Sequence, residues 1–174
     1  MAIGLKYIDE DDKCYGITGM AIGIMVCDAE NLISSISLDE EEGNAMKFTN
    51  EIFTANPRMP AKLSWQHMVE QYQIAMGMLI ANLMCRNYVL RQGGISNEMK
   101  NLVYKYLQDE GKRICSLEED EIKRLFDKNY AFMQRIFNHQ GVQNIVHDFV
   151  RNLKSSRSME RSQIIENLRA LSML

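Results

Sequence analysis

The sequence predicts an all-α fold: one single-domain helical bundle over residues 1–174, with about six or seven helices around a long central apolar helix. Three observations carry this. Only two prolines interrupt the chain, whereas methionine, a good helix former that fills irregular cores, occurs 13 times. Apolar residues recur at three- and four-residue intervals through most of the chain from residue 65 on, the longest run covering residues 65–92. At 174 residues, 46% hydrophobic and 25% charged, the chain is long and apolar enough for one full core.

Each element has its own signals. Residues 1–15 read as an N-terminal arm that begins apolar and turns acidic at Asp9, Glu10, Asp11 and Asp12. A helix is expected from about Thr18 through Cys27 and on toward Ile36, although Ile33, Ile36 and the intervening serines also suit a strand. Residues 39–42 and Gly43 form an acidic loop, and a short amphipathic helix fits residues 45–55 with Met46, Ile52 and Phe53 on one side. Pro57 and Pro60 push their preceding residues away from helical geometry, which makes residues 56–63 the main internal connector. Ser64 is the expected N-cap of the 65–92 helix, and Gly93-Gly94 its end. Trp65, Met68, Tyr72, Met76 and Leu79 line one face and Ile74, Met78, Ala81 and Cys85 another, so its middle is apolar nearly all round.

Ser96 is expected to cap a helix over residues 97–110 that Gly111 stops. Ser116 and Glu119 have the spacing of a capping box for the next helix, which carries Ile122, Phe126, Met133 and Phe137 and breaks at Gln140-Gly141. Val142, Val146, Phe149 and Leu153 describe a further helix. A polar joint at residues 155–158, with Ser158 as cap, leads to a last one through Ile164, Ile165, Leu168 and Leu171.

Two stretches read almost alike, residues 19–27 and 77–85. Each spaces small residues four apart, which on a helix makes a ridge with almost no side chain. Gly19, Gly23, Gly77 and Ala81 are therefore the candidate helix-packing or interface residues. The flanks diverge at the same offset, Cys14 against Tyr72 and Asp28 against Arg86, so no duplication follows.

Familiar chemistry is hard to find. The glycines at 16, 19 and 23 lack both the G-K-[ST] ending of a P-loop and the G-x-G-x-x-G order of a dinucleotide site. A calcium loop started at Asp9 puts Lys13 at the fifth position and Met20 where a bidentate glutamate belongs. His67 and Glu70 share a helical face, but the order is reversed from E-x-x-H and no second pair exists; His139 and His147 sit eight apart across Gly141. No G-x-S-x-G elbow is present. Cys27 and Cys85 lie in apolar runs and read as inert, leaving Cys14 and Cys115 as the exposed thiols. No catalytic residue, metal or cofactor is expected.

Net charge is −3, unevenly spread: residues 1–122 carry 11 Lys+Arg against 19 Asp+Glu, residues 123–174 nine against four. The first reading of this asymmetry is solvated helix faces; the other readings are steering of a partner or pairing of the two parts of the chain. Arg151, Lys154, Arg157, Arg161 and Arg169 make a basic strip, interrupted by Asp148, Glu160 and Glu166, so a nucleic-acid partner is not expected. No basic-flanked signal segment or bilayer-length apolar run is visible, and a cytoplasmic setting is expected without membrane association. The leading expectation is a non-enzymatic protein–protein interaction or adaptor module, acting on a protein partner or as a homodimer. The alternative is a small-ligand-binding protein or enzyme, with a pocket walled by the Met-rich central helix and His67, Glu70, Tyr72 and Met76 as its pocket residues.

Overall fold

A computed structural model describes residues 6–49 and 61–174. The described chain is predominantly helical, with six α-helices and one small sheet in the order α1 (Glu10–Val26), β1 (Ile33–Ser37), β2 (Met46–Phe48), α2 (Ala61–Met84), α3 (Asn97–Cys115), α4 (Glu119–Asn138), α5 (Gln140–Ser156), β3 (Ser158–Glu160) and α6 (Arg161–Leu168).

The acidic run at the N-terminus starts a helix rather than ending an arm. The Asp9 side chain accepts from the Asp12 amide at 2.8 Å, and Glu10, Asp11 and Asp12 fill the first turn, where carboxylates oppose the positive end of the helix dipole. Helix α1 therefore begins at Glu10, well before Thr18. It stops at Val26, and the chain then continues as β1 instead of helix. The expected helix over residues 45–55 is also corrected at its start: residues 46–48 form β2, antiparallel to β1, with Met46 buried and Lys47 exposed. Residues 50–55 of that helix, and residues 56–60 of the connector, lie outside the described residues.

β1 is the central strand of the order β2-β1-β3 and pairs on its other side with β3, placing Ile36 opposite Met159. Three-residue strands carry too short an alternation to be read from sequence.

α2 is already helical at Ala61, so Ser64 lies inside it and is not its cap. The apolar middle of α2 is the centre of the bundle, with every residue from Met76 to Arg86 buried. After Met84 the helix widens into a six-residue π-helical segment, Cys85–Leu90. Ser96 does cap α3, accepting from the Met99 amide at 3.2 Å. Gly111, however, is no stop signal. α3 continues to Cys115, and Ser116 takes the left-handed conformation (φ 53°) at its end.

The capping box of α4 is formed by Glu118 and Glu121, with the Glu118 amide donating to the Glu121 carboxylate at 2.9 Å; Ser116 and Glu119 do not form it. His139 separates α4 from α5, its Nδ1 accepting from the Gly141 amide at 3.1 Å. Ser158 belongs to β3, and Glu160 with Gln163 caps α6.

α1 packs most extensively on α2, which also contacts α3 and α4, while α5 closes against α1 and α4. At the α1–α2 crossing a Cβ on Gly19 would overlap the Ala81 carbonyl oxygen and come within 2.7 Å of Cys85 Cβ. A Cβ on Gly23 would lie 2.9 Å from Ala81 Cβ and 3.3 Å from the Gly77 carbonyl oxygen. Gly77 itself faces Met133 of α4 and Cys27, the residue that follows α1. The small residues thus let two backbones and a third helix approach within one chain, and the core of Ile17, Ile24, Ile80, Met84, Phe126 and Phe137 closes around them. Among the described residues no helix is long and apolar enough to cross a membrane.

Candidate functional site

Two neighbouring features stand out beside the α1–α2 crossing: a buried ionic cluster and an apolar cavity. The cluster begins with Asp12, whose place in the first turn of α1 turns its side chain toward the π-helical segment. Arg86 grips it with two bonds, Nε to Oδ1 at 2.8 Å and Nη2 to Oδ2 at 2.6 Å, and both side chains are about 95% or more buried (5% and 2% exposed). Arg91 Nη2 adds a third bond to Oδ1 at 2.8 Å, and the Ile8 amide a fourth to Oδ2 at 3.0 Å.

The two arginines are five positions apart in the chain. In a regular α-helix, at about 100° per residue, they would point roughly 140° apart. The wider π turn, whose hydrogen bond spans from the Arg91 amide to the Arg86 carbonyl at 3.2 Å, brings them to one side. Burial pushes the Asp12 carboxyl up; the Arg86 hydrogen bonds, the Ile8 amide and the two guanidinium charges more than offset it, so the carboxyl sits below its ordinary value.

Arg86 also ties down the chain ahead of α1. Its Nη2 donates to the Lys6 carbonyl at 3.1 Å, and its guanidinium stands 5.0 Å from the Tyr7 ring centroid. Asn82, one turn earlier, shares its oxygen with Arg86 Nη1 at 3.4 Å and donates from Nδ2 to the Tyr7 hydroxyl at 3.0 Å. The ring is seated over Gly16: a Cβ there would lie 2.5 Å from Tyr7 Cε1 and 2.9 Å from Asn82 Nδ2. Burial pushes the Tyr7 phenol up, against the Asn82 bond and the Arg86 charge, so the hydroxyl keeps its proton at neutral pH.

Tyr7 and Asn82 form the polar corner of a cavity of about 650 Å³. Ile17 and Met20 of α1 line one side, Ala45, Met46 and Phe48 of the β2 region another, and Gln71, Ile74, Ala75, Met78, Leu79 and Asn82 of α2 the third. Leu32 completes the apolar lining; Lys6, Glu42 and Gly43 stand with it at exposed positions. The volume and the predominance of apolar walls match sites for small molecules.

The residues singled out in the sequence take other places. Tyr72 is buried, donates to the Leu107 carbonyl at 2.5 Å, and covers Gly111 so closely that a Cβ there would lie 2.7 Å from its oxygen. Met76 is buried beside Asn129 of α4, whose Nδ2 lies 3.6 Å from its Sδ. His67 Nε2 is 2.8 Å from Gln71 Nε2, and Glu70 is exposed; none of these four lines the cavity. His147 Nδ1 pairs instead with the Tyr15 hydroxyl at 2.7 Å, so the three histidines each have a different neighbour. Among the described residues, no three His, Cys, Asp or Glu side chains group as metal ligands.

Two thiols need correcting. Cys14 and Cys115 are both fully buried, not exposed, because α1 starts earlier and α3 ends later than their sequence signals imply. Burial pushes the Cys14 thiol up to about 11 and raises those of Cys27, Cys85 and Cys115. Of the basic strip, Lys154 pairs with Asp11, Arg157 with Glu10 at 2.7 Å and Asp39 at 2.8 Å, and Arg161 donates to the Ile33 carbonyl at 2.6 Å. The basic C-terminal part therefore meets the acidic N-terminal part within the chain.

Sequence reasoning passed over Asp12, Arg86, Tyr7 and Asn82. One signal was available: Arg86 interrupts an otherwise apolar stretch, and a buried arginine requires a carboxylate. Compared with protein-family models, curated proteins and solved structures, the chain matches none.

Proposed function

We propose that this protein binds a small, largely apolar molecule in the cavity between α1, α2 and β2. The observation that carries the reading is the cavity itself: about 650 Å³, walled by Ile17, Met20, Phe48, Ile74, Met78 and Leu79, with Tyr7 and Asn82 at one corner. Filling such a space with an apolar body removes its surface from water, while a single polar corner orients the molecule. The cluster around Asp12 supports this by holding Tyr7 rigidly in position before any ligand arrives.

The test is a fluorescence titration of the folded protein with N-phenyl-1-naphthylamine, a neutral apolar probe. Saturable binding at one site is expected, with a raised Tm in proportion to occupancy. Ala75 lines the cavity from an exposed position, so Ala75→Trp admits an indole into the mouth without enlarging a packed core side chain. That variant should melt normally and lose the probe. Equal binding by Ala75→Trp, or no saturable binding by the parent, refutes the reading.

A second reading, a protein–protein interaction module that self-associates, rests on a separate observation. Leu63, Trp65 and Met68 are exposed on the first turns of α2, and Trp65 Nε1 donates to the Cys115 carbonyl at 2.8 Å, one residue along from exposed Ile114. Large exposed apolar side chains in one region mark contact surfaces. Sedimentation velocity distinguishes the outcomes: a dimer that dissociates on Leu63→Glu supports self-association, and a monomer at 100 micromolar removes it.

A further inference from the structure

We infer that the occupant of this cavity is a neutral carbonyl compound with an apolar body, its oxygen accepting the hydrogen bond that the Tyr7 hydroxyl has to give. The inference rests on the ligand-binding reading above and adds the chemistry of the ligand's polar end.

Hydrogen-bond capacity at the polar corner carries the argument. A tyrosine hydroxyl donates one bond and accepts others. The Tyr7 oxygen accepts from Asn82 Nδ2 at 3.0 Å, and its own proton has no acceptor among the described residues. Asn82 does not supply one: its carbonyl oxygen is turned to Arg86 Nη1 at 3.4 Å, and its amide nitrogen only donates. Other sides of the ring are occupied, with the Arg86 guanidinium 5.0 Å from its centroid and Gly16 packed against Cε1 and the hydroxyl. The phenol keeps its proton because burial disfavours the phenolate. Tyr7 and Asn82 both line the cavity, so what the corner offers an occupant is a donor.

Two costs select the kind of acceptor. A charged head brought to a buried corner gives up its hydration and needs an opposite charge beside it in return. The charges acting on the Tyr7 hydroxyl are of both signs, Arg86 against Glu42 and Asp12, and burial outweighs each of them. The Arg86 guanidinium is engaged by Asp12 through two bonds. Lys6 and Glu42, the charged side chains in the described lining, are exposed and opposite in sign. Neither a carboxylate nor an ammonium is therefore compensated there. A hydroxyl head also accepts, but it brings a proton of its own, and a buried donor left unpaired cancels the gain. A ketone, aldehyde or ester only accepts, and it completes the corner with no group left over.

The experiment is displacement of N-phenyl-1-naphthylamine from the full chain by methyl octyl ketone, decanol, decanoate and decylamine at pH 7.5. The ketone is expected to displace the probe about threefold better than decanol and about tenfold better than either ion. In Tyr7→Phe the ratio of ketone to probe affinity should fall about fivefold, the loss expected for a hydrogen bond between neutral groups. Because Tyr7→Phe also deprives Asn82 Nδ2 of its acceptor, a second measurement uses the parent alone. The infrared carbonyl stretch of the bound, isotope-labelled ketone should lie below its frequency in hexane. Displacement by decanol, decanoate or decylamine as effective as by the ketone overturns the carbonyl and leaves the cavity reading standing. So does an unchanged ratio in folded Tyr7→Phe, or a bound frequency equal to that in hexane. Failure of the parent to bind the probe or any of the four overturns both.

Discussion

Replacing Arg86 with methionine takes away both bonds that hold Asp12 from the π-helical segment and leaves a carboxylate that is 2% exposed with Arg91 and the Ile8 amide as its partners. Methionine fills much of the same space, so the change is chiefly one of charge. Removing one member of a buried ion pair costs about 3–5 kcal/mol. Arg91, which reaches Asp12 from a position 37% exposed, holds the expected loss to the lower end, about 3 kcal/mol. With a urea m-value of about 2 kcal/mol/M, the unfolding midpoint falls by about 1.5 M. The assay is urea unfolding at pH 7 followed by circular dichroism, repeated on Asp12→Leu and on the double variant. Because the double variant buries no orphaned charge, its loss should be smaller than the sum of the two single losses by about 2 kcal/mol or more. A midpoint shift under 0.5 M for Arg86→Met, or strict additivity in the cycle, refutes the claim that this pair anchors α1 to the π-helical segment.

Other outcomes follow from the same geometry. The folded carboxyl of Asp12 titrates below its ordinary value of 3.8, so its stabilisation is complete above about pH 4 and fades as pH falls through the depressed folded value; the stability gap between the parent and Asp12→Asn should shrink between pH 5 and pH 2. Gly19→Ala forces a Cβ into the Ala81 backbone, and overpacking at the upper end of its usual range, about 2–3 kcal/mol, outweighs the helix-propensity gain of about 1, for a net loss of about 1–2 kcal/mol. Gly43→Ala, with nothing within 4 Å, serves as the control and should change the Tm little. Ser116 holds a left-handed conformation at the end of α3, so Ser116→Gly should stabilise by about 0.5–1 kcal/mol in chemical denaturation; a loss there would contradict the end assigned to the helix.

The helical periodicity of α3, α4 and α5 was legible because each buries one stripe and exposes the rest. The small residues at 19, 23, 77 and 81 were legible too, since four-residue spacing on a helix leaves no other way to make a thin ridge, and they meet at the α1–α2 crossing. The sheet was not: β2 and β3 have three residues each, and β3 pairs with β1 across a long stretch of chain, Ser37 with Ser158 and Ile36 with Met159. Glycine misled at one place, because Gly111 serves contact with Tyr72 while the helix end falls on a serine. The cavity escaped for a tertiary reason. α2 is apolar nearly all round, and its Tyr72 and Met76 face α3 and α4, so nothing local tells which side borders an open space. Two cavity walls come from residues 6–7 and 45–48, far from α2 in sequence. Asp12 and Arg86 are 74 residues apart in the chain, and Arg91 joins them because the chain widens into a π turn.

The pairing of Ile36 with Met159 has a consequence for how the chain is made. At synthesis rates of roughly 5–20 residues per second, the edge of β1 waits about 6–25 s for β3 to emerge. Throughout that interval β2 can protect one edge of β1 while the other offers unpaired amides and carbonyls to any neighbouring chain. The nascent protein is thus most exposed to misassociation after its central strand exists and before its last helix does, and holdase chaperones have their window there.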